Sequence, residues 1–188
     1  MLLRELVGEL FIEFRTSLFE IEVGRLAYDI LNEEPDFKLS DKVKNKNRMQ
    51  LLVILRCIIS NLDYEMLLEK DYNHKQMEEL RQYLLRGMDI SLVKDDKIDH
   101  QTMKLIRDAK TRGEQIPTID YSDFHFEQIE QIFKACSQGL DISSLLNSKL
   151  DPEVMESMRY SLLETKRQND MKDLFKHYQD IHERIFGK

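Results

Sequence analysis

Apolar residues recur at helical spacing through most of this 188-residue chain. Leu3, Leu6, Val7, Leu10, Phe14, Leu18 and Ile21 mark one face of a first helix, with Gly24 as a candidate break. The alternation of FEIEV at 19–23 leaves a strand open as an alternative there. From about residue 47 the pattern becomes periodic. Gly87 and Gly139 stand 52 residues apart, each closing a helical run, and they open the near-identical phrases GMDIS and GLDIS. Gly113 falls midway, so the period is 26. Met77, Met103, Ile129 and Met155 share one position of it, Leu80, Ile106, Ile132 and Met158 a second, and Ile90, Ile116 and Ile142 a third. Positions 77, 80 and 84 predict one apolar helix face. One step back from Gly87 lies Asn61, in a diverged copy.

The polar positions punctuate the same period. Asn73, Asp99, His125 and Asp151 share a position, each preceded by an apolar residue: Tyr72, Ile98, Phe124 or Leu150. Asn and Asp there predict N-caps, whose side-chain oxygen accepts a free N–H of the first turn, and the apolar residue staples onto that turn. Asn61, Gly87, Gly113 and Gly139 predict the left-handed residue just past each helix end, with Leu62, Met88 and Leu140 as the apolar contact that follows. Asp63, Asp89 and Asp141 then cap a second, shorter element, which is why the phrase recurs.

A unit of this length, with a first helix of about 13 residues rising about 20 Å, leaves room on the way back for a short helix or a single turn. The expected fold is all-α: tandem short helix–turn–helix repeats stacked as a small solenoid, with non-repeat helices at both ends. The segments are an acidic N-terminal helical segment (1–36), a repeat array (47–163, in units of about 47–71, 72–97, 98–123, 124–149 and 150–163) and a C-terminal amphipathic helix (164–188). Met171, Leu174, Phe175, Tyr178, Ile181 and Ile185 mark that last helix. NEEPDFKLSDKVKNKN reads as a linker, and Thr165 stands where another glycine is due, leaving the last repeat helix free to run on.

Gln76, Met77, Leu80, Arg81, Leu84, Gly87, Asp89, Ile90 and Ser91 resemble a tandem repeat of the form QMxxIRxxLxxGLDVS, found in uncharacterised proteins of Gram-positive bacteria, their phages and mobile elements. The copy at 98–123 keeps Met103, Ile106, Arg107 and Gly113 but has EQIPT in place of the LDVS phrase. The resemblance covers about 72–163 and implies a bacterial or phage origin, but no chemistry.

Composition agrees with helices. Hydrophobic residues make up 41% and charged residues 34%, with only 6 Gly and 3 Pro, too few breakers for an all-β chain and too apolar for a disordered one. Cys57 and Cys136 lie in apolar runs and read as reduced core residues of an intracellular protein. Glu5, Glu9 and Glu13 interrupt the apolar start, so no signal peptide is expected there, and Arg56 breaks MQLLVILRCIIS, so no membrane span is expected. The expected location is the cytoplasm of a bacterial host.

Charge is unevenly placed. The chain carries −7, and residues 1–36, with nine acids against three bases, hold −6 of it. Glu5, Glu9 and Glu13 lie four apart on one face and, with Glu20, form the candidate contact for a protein partner with a basic surface. HExxH, GxGxxG, Walker and GxSxG motifs are all missing. No catalytic residue, metal or cofactor is expected, and the chain reads as no enzyme. His177 and His182 sit about 140° apart around a helix. His74 and His100 share a repeat position, where local hydrogen bonding competes with a two-ligand site.

The expectation is a non-catalytic, protein-binding helical-repeat protein. The resemblance adds a phage or mobile-element role, such as an anti-CRISPR blocking a basic nucleic-acid-handling host protein, by fold-level analogy. The alternative is a nucleic-acid-binding regulator using Arg81, Arg86, Arg107 and Arg112, against which the net negative charge counts.

Overall fold

Six α-helices run through the described residues of the computed structural model, which are 2–4, 18–33 and 37–187. They are α1 (Leu18–Glu33), α2 (Arg48–Ile59), α3 (His74–Leu85), α4 (His100–Arg112), α5 (Phe126–Ser137) and α6 (Pro152–Phe186). No strand occurs among the described residues; Leu2 and Lys38 make one isolated antiparallel bridge. The all-α expectation is met. The chain divides into two compact units, 1–104 and 105–188. In the first, α2 packs between α1 and α3; in the second, α5 packs on α6.

The helix ends follow the repeat. Asn47, Asn73, Asp99 and Asp151 each accept a first-turn N–H with the side-chain oxygen, from Gln50, Gln76, Thr102 and Glu153 respectively. At the far ends Asn61 (φ 51°), Gly87 (φ 61°), Gly113 (φ 70°) and Gly139 (φ 63°) are left-handed. The N–H of the next residue reaches back five positions, Leu62 to Cys57, Met88 to Tyr83, Glu114 to Ala109 and Leu140 to Ala135, at 2.9–3.0 Å. These are four Schellman closures in one register. The DIS phrase is a turn in which the aspartate accepts from the N–H two residues on, at 3.0 Å, in Asp63, Asp89 and Asp141 alike. The return limb is a single turn, 3₁₀ at Glu65–Leu68 and Ser143–Leu145, and not a second helix.

Three expectations change. Gly24 does not break the first helix: it lies inside α1, and residues 19–23 are helical, which removes the strand alternative. The third core position of α3 is Tyr83, fully buried, while Leu84 is half-buried. The linker is packed, since Leu39 and Val43 are buried and Leu3 N–H donates to Phe37 O at 3.1 Å.

Two core positions of the period escape the apolar pattern of the helices. Leu67, Val93 and Leu145 recur in the return turns, all fully buried. Gln50, Gln76 and Gln128 recur inside the helix N-termini and are buried as well. Each glutamine accepts the N–H of its own N-cap residue (Asn47, Asn73, His125) at 2.9 Å. Each amide N–H₂ then donates to the chain at the start of the next repeat. Gln50 reaches Tyr72 O at 2.6 Å. Gln76 reaches Asp96 O and Ile98 O, both at 2.7 Å. Gln128 reaches Ser148 O and Leu150 O at 3.0 and 2.6 Å. One side chain thus closes the capping box and ties successive repeats. In the third copy Thr102 holds this position, and its hydroxyl donates locally to Asp99 at 2.7 Å.

Candidate functional site

Three of the recurrent arginines lie beside carboxylates. In the first unit Arg81 makes a forked contact to Glu78, at 2.8 Å from Nη2 and 3.1–3.2 Å from Nε. Arg56, the residue that interrupts the apolar run of α2, lies 2.5 Å from Glu22 of α1 and 3.9 Å from Glu78 of α3. Burial raises the Glu78 pKa, but hydrogen bonds from Arg81 and Gln82 and the charges of Arg81 and Arg56 outweigh it, holding the carboxyl below its ordinary 4.5. A depressed native pKa contributes stability that is present above the unfolded value and lost as pH falls through the native one. Glu78→Gln should therefore lower the thermal midpoint at neutral pH, and the gap from the parent should close as pH drops below about 4.5. A gap that persists in acid would assign the loss to packing instead.

In the second unit Arg107 is buried and lies 3.2 Å from Asp108, and Arg112 is exposed and paired with Glu114 at 2.5 Å. The same repeat position holds Phe133, tilted against Tyr121 at 6.3 Å, and then Arg159. Arg159 went unnoticed in the sequence although the period points to it. It is buried, donating from Nε to Gln131 and from Nη1 to Gln138, both at 3.1 Å, with its guanidinium 4.3 Å from the Tyr160 ring centre. Arg86 is exposed at the end of α3. Of the four arginines considered for nucleic acid, Arg81, Arg107 and Arg112 are thus engaged by carboxylates inside their own units.

Among the described residues no three His, Cys, Asp or Glu side chains are grouped to hold a metal ion. Cys57 is buried, which pushes its thiol up to about 12, and burial raises Cys136 too, so neither is a ready nucleophile. Both are free. No described helix is long and apolar enough to cross a membrane.

Glu5, Glu9 and Glu13 lie outside the described residues, and for Glu20 only its place in α1 is described. The later part of that acidic segment does border a groove, of about 380 Å³, in the first unit. Ile30, Phe37, Ile58, Ile59, Leu62 and Tyr64 supply apolar and aromatic wall, and Asp29 and Glu33 supply acid. Among the described residues no lysine or arginine lines it. Burial raises the Tyr64 hydroxyl pKa, and its oxygen accepts from Ser40 N–H at 3.3 Å. An apolar wall with two carboxylates suits the long stem and charged head of a lysine or arginine side chain.

The other exposed feature is α6. The last repeat helix runs past Thr165 without interruption, so 152–186 is one helix of 35 residues and 164–186 is its continuation rather than a separate helix. Lys166 Nζ donates to Gln138 O at 2.8 Å and Gly139 O at 3.2 Å, closing the carbonyl end of α5. From Arg167 to Gly187 every residue is exposed, large apolar ones included. No family model, curated protein or solved structure matches the chain.

Proposed function

We propose that this is a non-catalytic protein-binding protein whose repeats, stacked as a small solenoid, form the scaffold and whose acidic first segment meets a basic partner. The observation that carries the reading is the groove beside α1, where Asp29 and Glu33 join an apolar wall with no base among the described lining residues. The sequence adds to it, since −6 of the net −7 lies in residues 1–36. The repeated polar residues support the scaffold role, because the glutamines and buried arginines spend their hydrogen bonds inside the fold. A phage or mobile-element inhibitor of a basic nucleic-acid-handling protein is the biological setting that the repeat resemblance suggests for such a binder.

The test is capture of partners from a bacterial lysate on the immobilised chain, with and without nuclease. A basic protein retained after nuclease, and lost with Asp29→Lys/Glu33→Lys, is the expected result. The loss should fall mainly on the association rate and shrink at high salt, because exposed charges are screened beyond about 8 Å at physiological ionic strength. Capture abolished by nuclease and by Arg86→Ala/Arg112→Ala, with the acidic variant silent, would transfer the function to nucleic-acid binding.

A further inference from the structure

We infer that the exposed end of α6 pairs with the same segment of a second copy, as an antiparallel two-helix coiled coil. Met171, Leu174, Tyr178, Ile181 and Ile185 follow one another at steps of three, four, three and four, the seam of a heptad repeat. All of them are exposed, Met171 at 51% and Ile185 at 63%. A polar-faced helix of this length with an uncovered apolar seam draws little stability from propensity alone and gains it by packing that seam.

Charge and shape select the occupant and its direction. Asp170 and Arg184 are the charged residues that flank the seam on the side just before Met171 and Ile185. In a parallel pair Asp170 would face Phe175 of the second copy and His177 would face His182, with no opposite charges meeting. In an antiparallel pair, with Met171 against Ile181 and Leu174 against Tyr178 of the second copy, Asp170 faces Arg184 twice, once on each side of the dyad. The register also answers for Phe175, the large apolar residue that lies beside the seam and is 64% exposed. It falls on the two-fold axis and covers its own counterpart. Sliding the helices by one heptad, so that Leu174 faces Ile185, would set His177 against Arg184 and lose both ion pairs. The face is self-complementary in one register, as an isologous contact requires.

Sedimentation of the full chain across a concentration series tests this. A concentration-dependent dimer of the 22.5 kDa chain is expected. Leu174→Glu, at a site exposed in the single chain, should abolish it with helicity and melting of the rest retained. Asp170→Arg and Arg184→Asp should each weaken the dimer by about tenfold or more. The double variant Asp170→Arg/Arg184→Asp should recover most of that loss, a rescue that loosely sticking apolar faces would not show. A chain that stays monomeric at high micromolar concentration overturns the proposal, whatever other protein it captures. A double variant no tighter than the single ones overturns the antiparallel register.

Discussion

Replacing Gln76 by leucine should cost the protein about 3 kcal/mol and lower its thermal midpoint by roughly 6–12 °C. The side chains are similar in volume, so little cavity forms. What changes is the polar accounting. Gln76 is 4% exposed, accepts the Asn73 N–H at 2.9 Å, and donates to Asp96 O and Ile98 O at 2.7 Å. Leucine leaves those three backbone groups without that partner, and an unsatisfied buried group costs about 1–3 kcal/mol. The costs do not add fully, since water reaches the half-buried members. Gln128→Leu should behave alike in the second unit, where it loses Ser148 O and Leu150 O. Gln101→Leu, exposed on α4, is the control and should stay within about 0.5 kcal/mol. Equal melting of Gln76→Leu and Gln101→Leu would remove the tie between repeats from the account of stability.

Gly87→Val should destabilise by about 2 kcal/mol, and Gly139→Val by more. At Gly87 a Cβ meets nothing within 4 Å, so the cost is that of a β-branched residue at φ 61° and nothing else. At Gly139 the Cβ would also come within 2.9 Å of Lys166 Nζ. That ammonium donates to the carbonyls of Gln138 and Gly139, so displacing it weakens the closure of α5 as well. Asparagine tolerates the left-handed region, as Asn61 does in the diverged copy at φ 51°. Gly87→Asn should therefore lose clearly less than Gly87→Val. Urea unfolding of the three variants reads this order directly, and a valine variant as stable as the parent would contradict it.

Whatever is satisfied within about six residues could be read from the chain by itself. The caps at Asn73, Asp99 and Asp151, the left-handed closures at Asn61, Gly87, Gly113 and Gly139, and the aspartate turns at Asp63, Asp89 and Asp141 all complete their hydrogen bonds locally. Residue type and spacing therefore determined them, together with the all-α class. Gly24 misled because glycine is needed only where φ is positive, and inside α1 it is not.

Tertiary structure decided what depends on the path of the returning chain. The second bond of each glutamine spans 20–22 residues, and nothing in a polar side chain announces a carbonyl at that distance. Leu67, Val93 and Leu145 sit in single turns, too short to show a period of their own, and are buried only because the turn folds under the helices. Arg56 reads in the sequence as a break in an apolar run, and only the packing of α1 and α3 on α2 brings Glu22 and Glu78 beside it. The long α6 was settled where Thr165 failed to stop the helix, and with no described element packed on the seam from Met171 to Ile185, that seam stayed exposed.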